Sequence, residues 1–351
     1  MNEWNNKYNP FNSMKALAHA EYWKPIVADG PIPWPRMVSL DPCGACNYNC
    51  PHCNAAKSFE RGHKTEWSSR DIISITELLA SHGTKAVCVG GGGEPLMHSY
   101  ISQLLYRLNK AGIKIGVVTN GYRLPSVRDA IRDTCTWVGV SMDAGSPHVY
   151  SQMKGCKEDA WHFVCANIKD LCSVFSAVTF KFLIHPLNIA DIRNACIRAD
   201  NLGCEAIHIR PGAQTWFGAG GFDFTDGDWT DVENEVSGAR NELRDSAMRV
   251  YCVTHKFKGW QPARTFGRCW AGYTTCVIQS NGMVGLCCDR RGDKAVDLCH
   301  YSELEHMWGS KKHHEIVEGI NVSACPRCTY CHINEMFERV LLNDEMLCDF
   351  Y

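Results

Sequence analysis

The sequence predicts an α/β fold: a partial, TIM-like (β/α)6 barrel followed by a small C-terminal domain made of a β-hairpin and a helix. Three observations carry this reading. Six short Val- and Ile-rich runs alternate with helical segments between residues 36 and 211, the pattern of parallel strands joined by crossovers. Asn281-Gly282 separates two apolar runs, a strong hairpin signal. Cysteines cluster at 46–53 and again beyond 263, each time next to a predicted strand.

The elements follow in order. Residues 1–35 are a polar, then proline-rich lead-in (Pro31, Pro33, Pro35) with a short helix over 13–23. The barrel region, 36–211, has strands at 36–41, 85–89, 113–119, 136–142, 177–185 and 205–210. Helices fall at 69–82, 98–111, 124–133, 158–174 and 189–202. Ser68 is placed to cap the first helix, and Gly83, Gly112 and Gly203 stand where a left-handed residue ends a helix. An eight-fold barrel would need two more units, so the barrel is expected to be open. Residues 212–262 connect, with Trp216, Phe217 and Phe222 in a glycine-rich loop over the mouth, a helix at 229–246 and a strand at 248–255. Residues 263–351 hold the hairpin (275–280 and 283–286), helices at 302–318 and 333–342, and the second set of cysteines.

Composition narrows the function. With 36 basic and 38 acidic residues the chain lacks the basic excess of a nucleic-acid binder. No apolar run approaches the length of a membrane helix, and the first residues lack a secretory pattern. A cytoplasmic protein is expected. Twenty-one cysteines then point to metal ligation in a reducing compartment. Cys88, Cys135, Cys165, Cys172, Cys196 and Cys204 lie in apolar stretches and are expected to pack as small hydrophobes.

The chemistry is carried by two loops. Cys46, Cys50 and Cys53 follow the first strand with three and two residues between them. Three thiols are one short of a closed zinc site, but they can hold an iron–sulfur cluster with one iron left open. The second strand runs into Gly90-Gly91-Gly92-Gly93-Glu94-Pro95. The glycines expose backbone groups to a ligand, and the carboxylate suits an amino group better than a phosphate. Zinc at the cysteine loop and a merely tight turn at the glycines are the plainer alternatives.

These residues resemble the radical S-adenosylmethionine (SAM) superfamily. Cys46, Cys50 and Cys53 match its CxxxCxxC motif, and Gly92-Gly93-Glu94-Pro95 its GGEP motif. His52 stands where the family usually has an aromatic residue. The resemblance implies a [4Fe-4S] cluster whose open iron is chelated by SAM, reductive cleavage to a 5′-deoxyadenosyl radical, and hydrogen abstraction from a substrate C–H bond. It further implies that Gly92, Gly93 and Glu94 hold the methionyl amino group. Asn120 would meet the nucleoside and Ser141 the ribose, with Lys154 or Arg210 as partner for the SAM carboxylate. An external electron donor of flavodoxin or ferredoxin type is implied as well. Lys181, in mid-strand, could point into the barrel or outward.

The C-terminal cysteines resemble the auxiliary-cluster domains called SPASM and twitch. The shorter twitch form implies Cys269, Cys287, Cys325 and Cys328 as ligands of one auxiliary [4Fe-4S] cluster. Cys276, Cys331 and Cys348 leave room for a second cluster, and a structural zinc is the other alternative. A fully ligated cluster implies electron transfer, hence net oxidation of a small molecule or a peptide. The first 35 residues are too few for the usual N-terminal peptide-binding domain of such enzymes. A redox-neutral epimerase-type reaction would need a cysteine hydrogen donor, for which Cys276, Cys288, Cys331 and Cys348 are the candidates. An iron–sulfur electron carrier or a zinc-stabilised binding protein would be a non-enzymatic alternative, but neither needs the Glu94 loop.

Overall fold

The computed structural model describes residues 13–53, 55, 65–212, 224–253, 266–325 and 328–342. The aromatic-loop residues Trp216, Phe217 and Phe222, and Cys348, lie outside them.

Six strands form at the positions the periodicity predicts: β1 (Met37–Leu40), β2 (Ala86–Val89), β3 (Lys114–Thr119), β4 (Trp137–Ser141), β5 (Val178–Ile184) and β6 (Ala206–Pro211). They pair in parallel, each with the next. A seventh, β7 (Arg249–Cys252), adds in parallel to β6. The helices on the outer face begin with α1 (Ala20–Val27), α2 (Ser69–Ser81), α3 (Ile101–Lys110) and α4 (Leu124–Thr134). They continue with α5 (Pro147–Lys154), α6 (Asp159–Cys172), α7 (Ile192–Asn201) and α8 (Asp226–Glu242). Ser68 caps α2 in a reciprocal capping box with Asp71. Gly83, Gly112 and Gly203 all adopt positive φ, +77°, +72° and +81°, as chain-terminating glycines should.

The C-terminal hairpin is not a separate sheet. Its first strand, β8 (Thr275–Ile278), pairs in parallel with β1, and β9 (Met283–Gly285) and β10 (Asp297–His300) follow antiparallel. One ten-stranded sheet therefore runs from β10 to β7. The predicted helix at 302–318 is broken into α9 (Leu304–Met307) and α10 (Lys311–Glu318) at Gly309, whose φ of +77° no helix admits. α11 (Cys331–Met336) continues into a wider π turn over Phe337–Leu341.

Strand alternation decides what faces the barrel interior. Branched and aromatic residues such as Val38, Val117, Val140, Phe180 and Ile209 are fully buried in the layer between sheet and helices. Their neighbours Ser39, Cys88, Gly116, Gly139, Lys181 and Arg210 point the other way, into the lumen. This corrects the expectation for Cys88: it is a lumen residue among charged groups, not a core residue. Cys165, Cys196 and Cys204 are buried as expected. The glycines make room at the lumen floor, for a Cβ on Gly116 would meet the Trp137 ring at 2.2 Å.

Candidate active site and auxiliary cysteine site

The loop after β1 carries Cys46, Cys50 and Cys53 and is laced to its neighbours by backbone hydrogen bonds. Gly93 N–H donates to Cys43 O (3.0 Å), Glu94 N–H to Ala45 O (2.8 Å), and Asn49 N–H to Lys154 O (3.2 Å). Cys46 is exposed, while Cys50 and Cys53 are half-buried. Burial pushes the Cys50 thiol up to about 12, with the Lys154 ammonium pulling the other way. Binding of a metal cluster would remove these protons.

Gly93 must be glycine, because a Cβ there would lie 2.3 Å from Ala45 O and 2.7 Å from Cys43 O. Glu94 is buried at the floor of the glycine loop and is held at both oxygens. Thr119 Oγ1 donates at 2.5 Å and Leu96 N–H at 3.1 Å to Oε1, and Asn120 N–H at 2.7 Å to Oε2. Burial lifts its carboxyl to about 7 against these bonds. A cationic amino group arriving there would favour the carboxylate. The Asn120 side chain donates to Asn47 Oδ1 (2.8 Å) and faces Cys46 Sγ at 4.0 Å. The β3 end, the glycine loop and the thiol loop thus form one connected surface.

Lys154 and Asp143 form a buried ion pair at the end of α5. Asp143 is a non-glycine residue at φ +56°. It is fixed by Leu183 N–H donating to Oδ1 (2.7 Å) and Asn188 Nδ2 donating to its carbonyl (2.8 Å). His52 Nε2 lies 3.7 Å from the same carboxylate. Lys154 therefore has an internal partner that the sequence reading did not include; a SAM carboxylate would share its ammonium with Asp143. Ser141 closes β4 opposite Lys181. Arg210, opposite Leu183 on β6, faces the lumen, close enough to Lys181 to lower its pKa. The question left open for Lys181 resolves to the inside: its ammonium stands 5.7 Å from the Trp137 ring centroid.

Among the C-terminal elements, Cys269, Cys287, Cys325 and Cys328 all line one cavity of ≈ 30 Å³, walled by apolar groups such as Phe266, Leu286 and Ile320 and by the polar side chains of Asp289, Arg290, Tyr330 and Asn334. Burial pushes Cys269 up to about 11 and holds Cys287 and Cys328 well above the usual thiol range. Asn334 braces the site, donating from Nδ2 to Cys328 Sγ (3.6 Å) and accepting from Ala271 N–H (2.8 Å). Asp289, also on the wall, accepts from both Thr329 N–H (2.7 Å) and Thr329 Oγ1 (2.9 Å). Neither brace was legible in the sequence. Among the described residues no three Cys, His, Asp or Glu side chains converge as ligands of a single ion. One zinc ion needs four sulfurs at ~2.3 Å from a common centre. Four thiolates can serve either one zinc ion or the four irons of a cubane.

The remaining C-terminal cysteines differ in their surroundings. Cys276 is 1% exposed and packs in the core beside Cys299, away from the lumen. Cys288 accepts a hydrogen bond from the buried Tyr330 phenol. Cys331 opens α11 and packs with Cys269, Cys325 and Cys328 against Phe266, Val296, Ile320 and Val322, at the edge of the auxiliary site.

Comparison with known proteins agrees with this geometry. The family description "Radical SAM superfamily" matches residues 41–197. The AdoMet-dependent heme synthase of Methanosarcina barkeri is 25% identical over 179 residues, 50% of this chain and 50% of that protein; the chain thus spans about half the length of this relative. The antilisterial bacteriocin subtilosin biosynthesis protein AlbA of Bacillus subtilis is 22% identical over 316 residues, covering 86% of this chain and 67% of AlbA. Among solved structures, Streptococcus suis SuiB bound to its precursor peptide SuiA superimposes with a TM-score of 0.69 at 15% identity, over 95% of this chain and 78% of SuiB. [4Fe-4S] and SAM are the cofactors of this superfamily, and SPASM-type relatives carry auxiliary clusters. Residues 41–197 thus match the radical SAM superfamily, and over its wider length the chain is similar to AlbA and, in fold, to SuiB.

Proposed function

We propose that this radical SAM enzyme modifies a peptide by net two-electron oxidation. The observation that carries the reading is the gathering of Cys269, Cys287, Cys325 and Cys328 on one cavity, remote in sequence from the three-thiol loop. Four thiolates would saturate an auxiliary [4Fe-4S] cluster and suit it to accept an electron. A peptide substrate is favoured over a small molecule because SuiB is seen with a precursor peptide and AlbA serves bacteriocin biosynthesis. A redox-neutral outcome finished by a cysteine hydrogen is disfavoured for Cys276, which is sealed in the core.

In this reading Cys46, Cys50 and Cys53 would hold a [4Fe-4S] cluster that supplies the reductive chemistry. When bound and reduced by a flavodoxin- or ferredoxin-type donor, the cluster and SAM supply a 5′-deoxyadenosyl radical. The chain positions and shields. Gly92 and Gly93 offer backbone groups and Glu94 its carboxylate to the SAM amino group. Asn120 would contact the nucleoside and Ser141 the ribose. Arg210 offers a two-point partner to the SAM carboxylate, and Lys154 a single-point one shared with Asp143. The lumen below, floored by Trp137 and flanked by Lys181, receives the substrate.

The test is iron and sulfide content after anaerobic reconstitution, paired with a 5′-deoxyadenosine assay. Wild type should hold about eight irons, and Cys46→Ala/Cys50→Ala/Cys53→Ala about four, with SAM cleavage abolished. About four irons in wild type and none in the triple variant would remove the auxiliary cluster and the oxidation with it.

A further inference from the structure

The glycine loop that follows β2 is held by backbone bonds at its two ends and by one side chain in its middle. Gly90 N–H donates to Leu40 O (2.9 Å) at one end, and Gly93 and Glu94 donate to Cys43 O and Ala45 O at the other. Between them Gly91 rides directly on Asp41. A Cβ on Gly91 would sit 3.0 Å from Asp41 Cγ, and Gly91 itself is at φ +136°. Asp41 is 1% exposed, so its carboxylate needs a partner inside the protein.

That partner comes from the C-terminal region, 250 residues away. Arg291 grips Asp41 with both prongs, Nε to Oδ2 at 2.6 Å and Nη2 to Oδ1 at 3.2 Å. Its third nitrogen, Nη1, donates to Cys288 O at 2.5 Å. Cys288 follows Cys287, a wall residue of the auxiliary cavity. The planar fork of arginine therefore joins the auxiliary cysteine loop to the residue that carries the glycine loop. Each plane is fixed by the other, because a bidentate pair sets orientation as well as distance.

We propose that Arg291 and Asp41 are positioning residues for SAM, holding the Gly90–Gly93 loop in its binding shape and tying that shape to the auxiliary cysteine loop. The inference rests on the assignment of the glycine loop to the SAM amino group. If the fork is lost, Asp41 is left buried with a poorer partner, and the glycines lying on it shift. Lysine keeps the charge at 291 but cannot make the two-point grip.

The test uses the reconstituted full-length protein and SAM as the probe. SAM affinity is measured by equilibrium dialysis, and SAM-induced changes in the EPR spectrum of the reduced protein are recorded alongside. Arg291→Lys, Arg291→Gln and Asp41→Asn are each expected to weaken SAM binding, by about three- to thirtyfold. Iron content should stay at the wild-type value, and the SAM-induced EPR change should shrink. Asp41→Asn/Arg291→Gln should bind SAM no worse than the weaker single variant, because the two residues act through one contact. Unchanged SAM affinity in Arg291→Lys and Asp41→Asn, with iron retained, would overturn the proposal. So would a double variant whose losses simply add. If wild type binds no SAM at all, the failure belongs to the SAM-site assignment instead.

Discussion

Lys181 occupies the space that a side chain on Gly139 would fill: a Cβ built on Gly139 would lie 2.3 Å from Lys181 Cε and 2.8 Å from Cδ. The lysine crosses from β5 over the face of β4 and stands above Trp137. Gly139→Ala should therefore keep the fold, since no positive φ is involved at 139, but push the ammonium out of the lumen. The expected result is iron content near wild type with substrate turnover reduced at least tenfold, to the level of Lys181→Met, a loss of about 1.4 kcal/mol in transition-state stabilisation. Product formation measured against 5′-deoxyadenosine formation checks this. Normal coupling in Gly139→Ala would mean that Lys181 is not needed in the lumen.

The same lysine gives a pH signature. Desolvation first, and then the Arg210 charge, push Lys181 down from 10.5 to about 7, although part of its surface stays open to the lumen. Between those values the unfolded chain binds more protons at this site than the native one. Stability should then rise with pH from about 7 toward about 10, the direction set by the excess of protons on the unfolded state. Lys181→Met should flatten that rise. Urea midpoints of the two proteins at pH 7 and pH 9 make the comparison, and parallel slopes would show that Lys181 does not contribute.

Glu94 is held by three donors from two segments: Thr119 and Asn120 at the end of β3, and Leu96 just beyond it in its own loop. Glutamine at 94 can accept at one end only, and its amide N–H2 would face a donor at the other. Glu94→Gln should lower SAM affinity at least tenfold, the scale of a lost charge-assisted hydrogen bond. Iron at the three-thiol loop should be retained. Dialysis against SAM with parallel iron analysis decides it, and wild-type affinity would remove Glu94 from the site.

What the sequence could reveal follows the range over which the forces act. The six barrel strands, the capping box at Ser68 and the chain-ending glycines are set by neighbours a few residues away, and all appear where the pattern placed them. The three-thiol loop and the Glu94 loop were legible because each sits at the end of such a strand. β8 was read as half of a local hairpin, because nothing in Thr275–Ile278 announces a parallel partner at Met37–Leu40. α5 went unnoticed, being only eight residues long and placed inside a string read for its motif. Asp143 with Lys154, and Asp41 with Arg291, pair across 11 and 250 residues. Their meaning depends on burial, which only the folded chain supplies.

Asn334 offers a check on the auxiliary site. Its amide reaches Cys328 Sγ at 3.6 Å while its oxygen anchors Ala271, two residues beyond Cys269. It therefore fixes two of the four proposed ligands relative to each other. Asn334→Leu, close in volume, should lose that bond and lower the potential of an auxiliary cluster, because hydrogen bonds to the sulfurs are among its determinants. Iron content should fall little. Potentiometric EPR on the Cys46→Ala/Cys50→Ala/Cys53→Ala background isolates this centre, and an unshifted potential would separate Asn334 from it.

His313 ties α10 to the turn at Gly272 and should make the protein acid-labile. It is fully buried, with Nδ1 accepting from Gly309 N–H (2.9 Å) and Nε2 donating to Gly272 O (2.9 Å). Both nitrogens are satisfied in a single neutral tautomer. A second proton would sit against the Gly309 N–H. Burial accordingly pushes the imidazole down to about 4, with the Gly272 carbonyl pulling the other way. The native group binds fewer protons than the unfolded one between about pH 6.5 and 4, so stability is present above that window and falls as pH drops through it. The full shift corresponds to about 3 kcal/mol. His313→Gln can keep the acceptor to Gly309 and has no proton to gain. It should start less stable at pH 7.5, because its shorter reach strains the Gly272 contact, yet lose less on acidification. Urea midpoints at pH 7.5, 6 and 5 should converge for the two proteins as pH falls. Curves that stay parallel would assign the acid sensitivity to other groups.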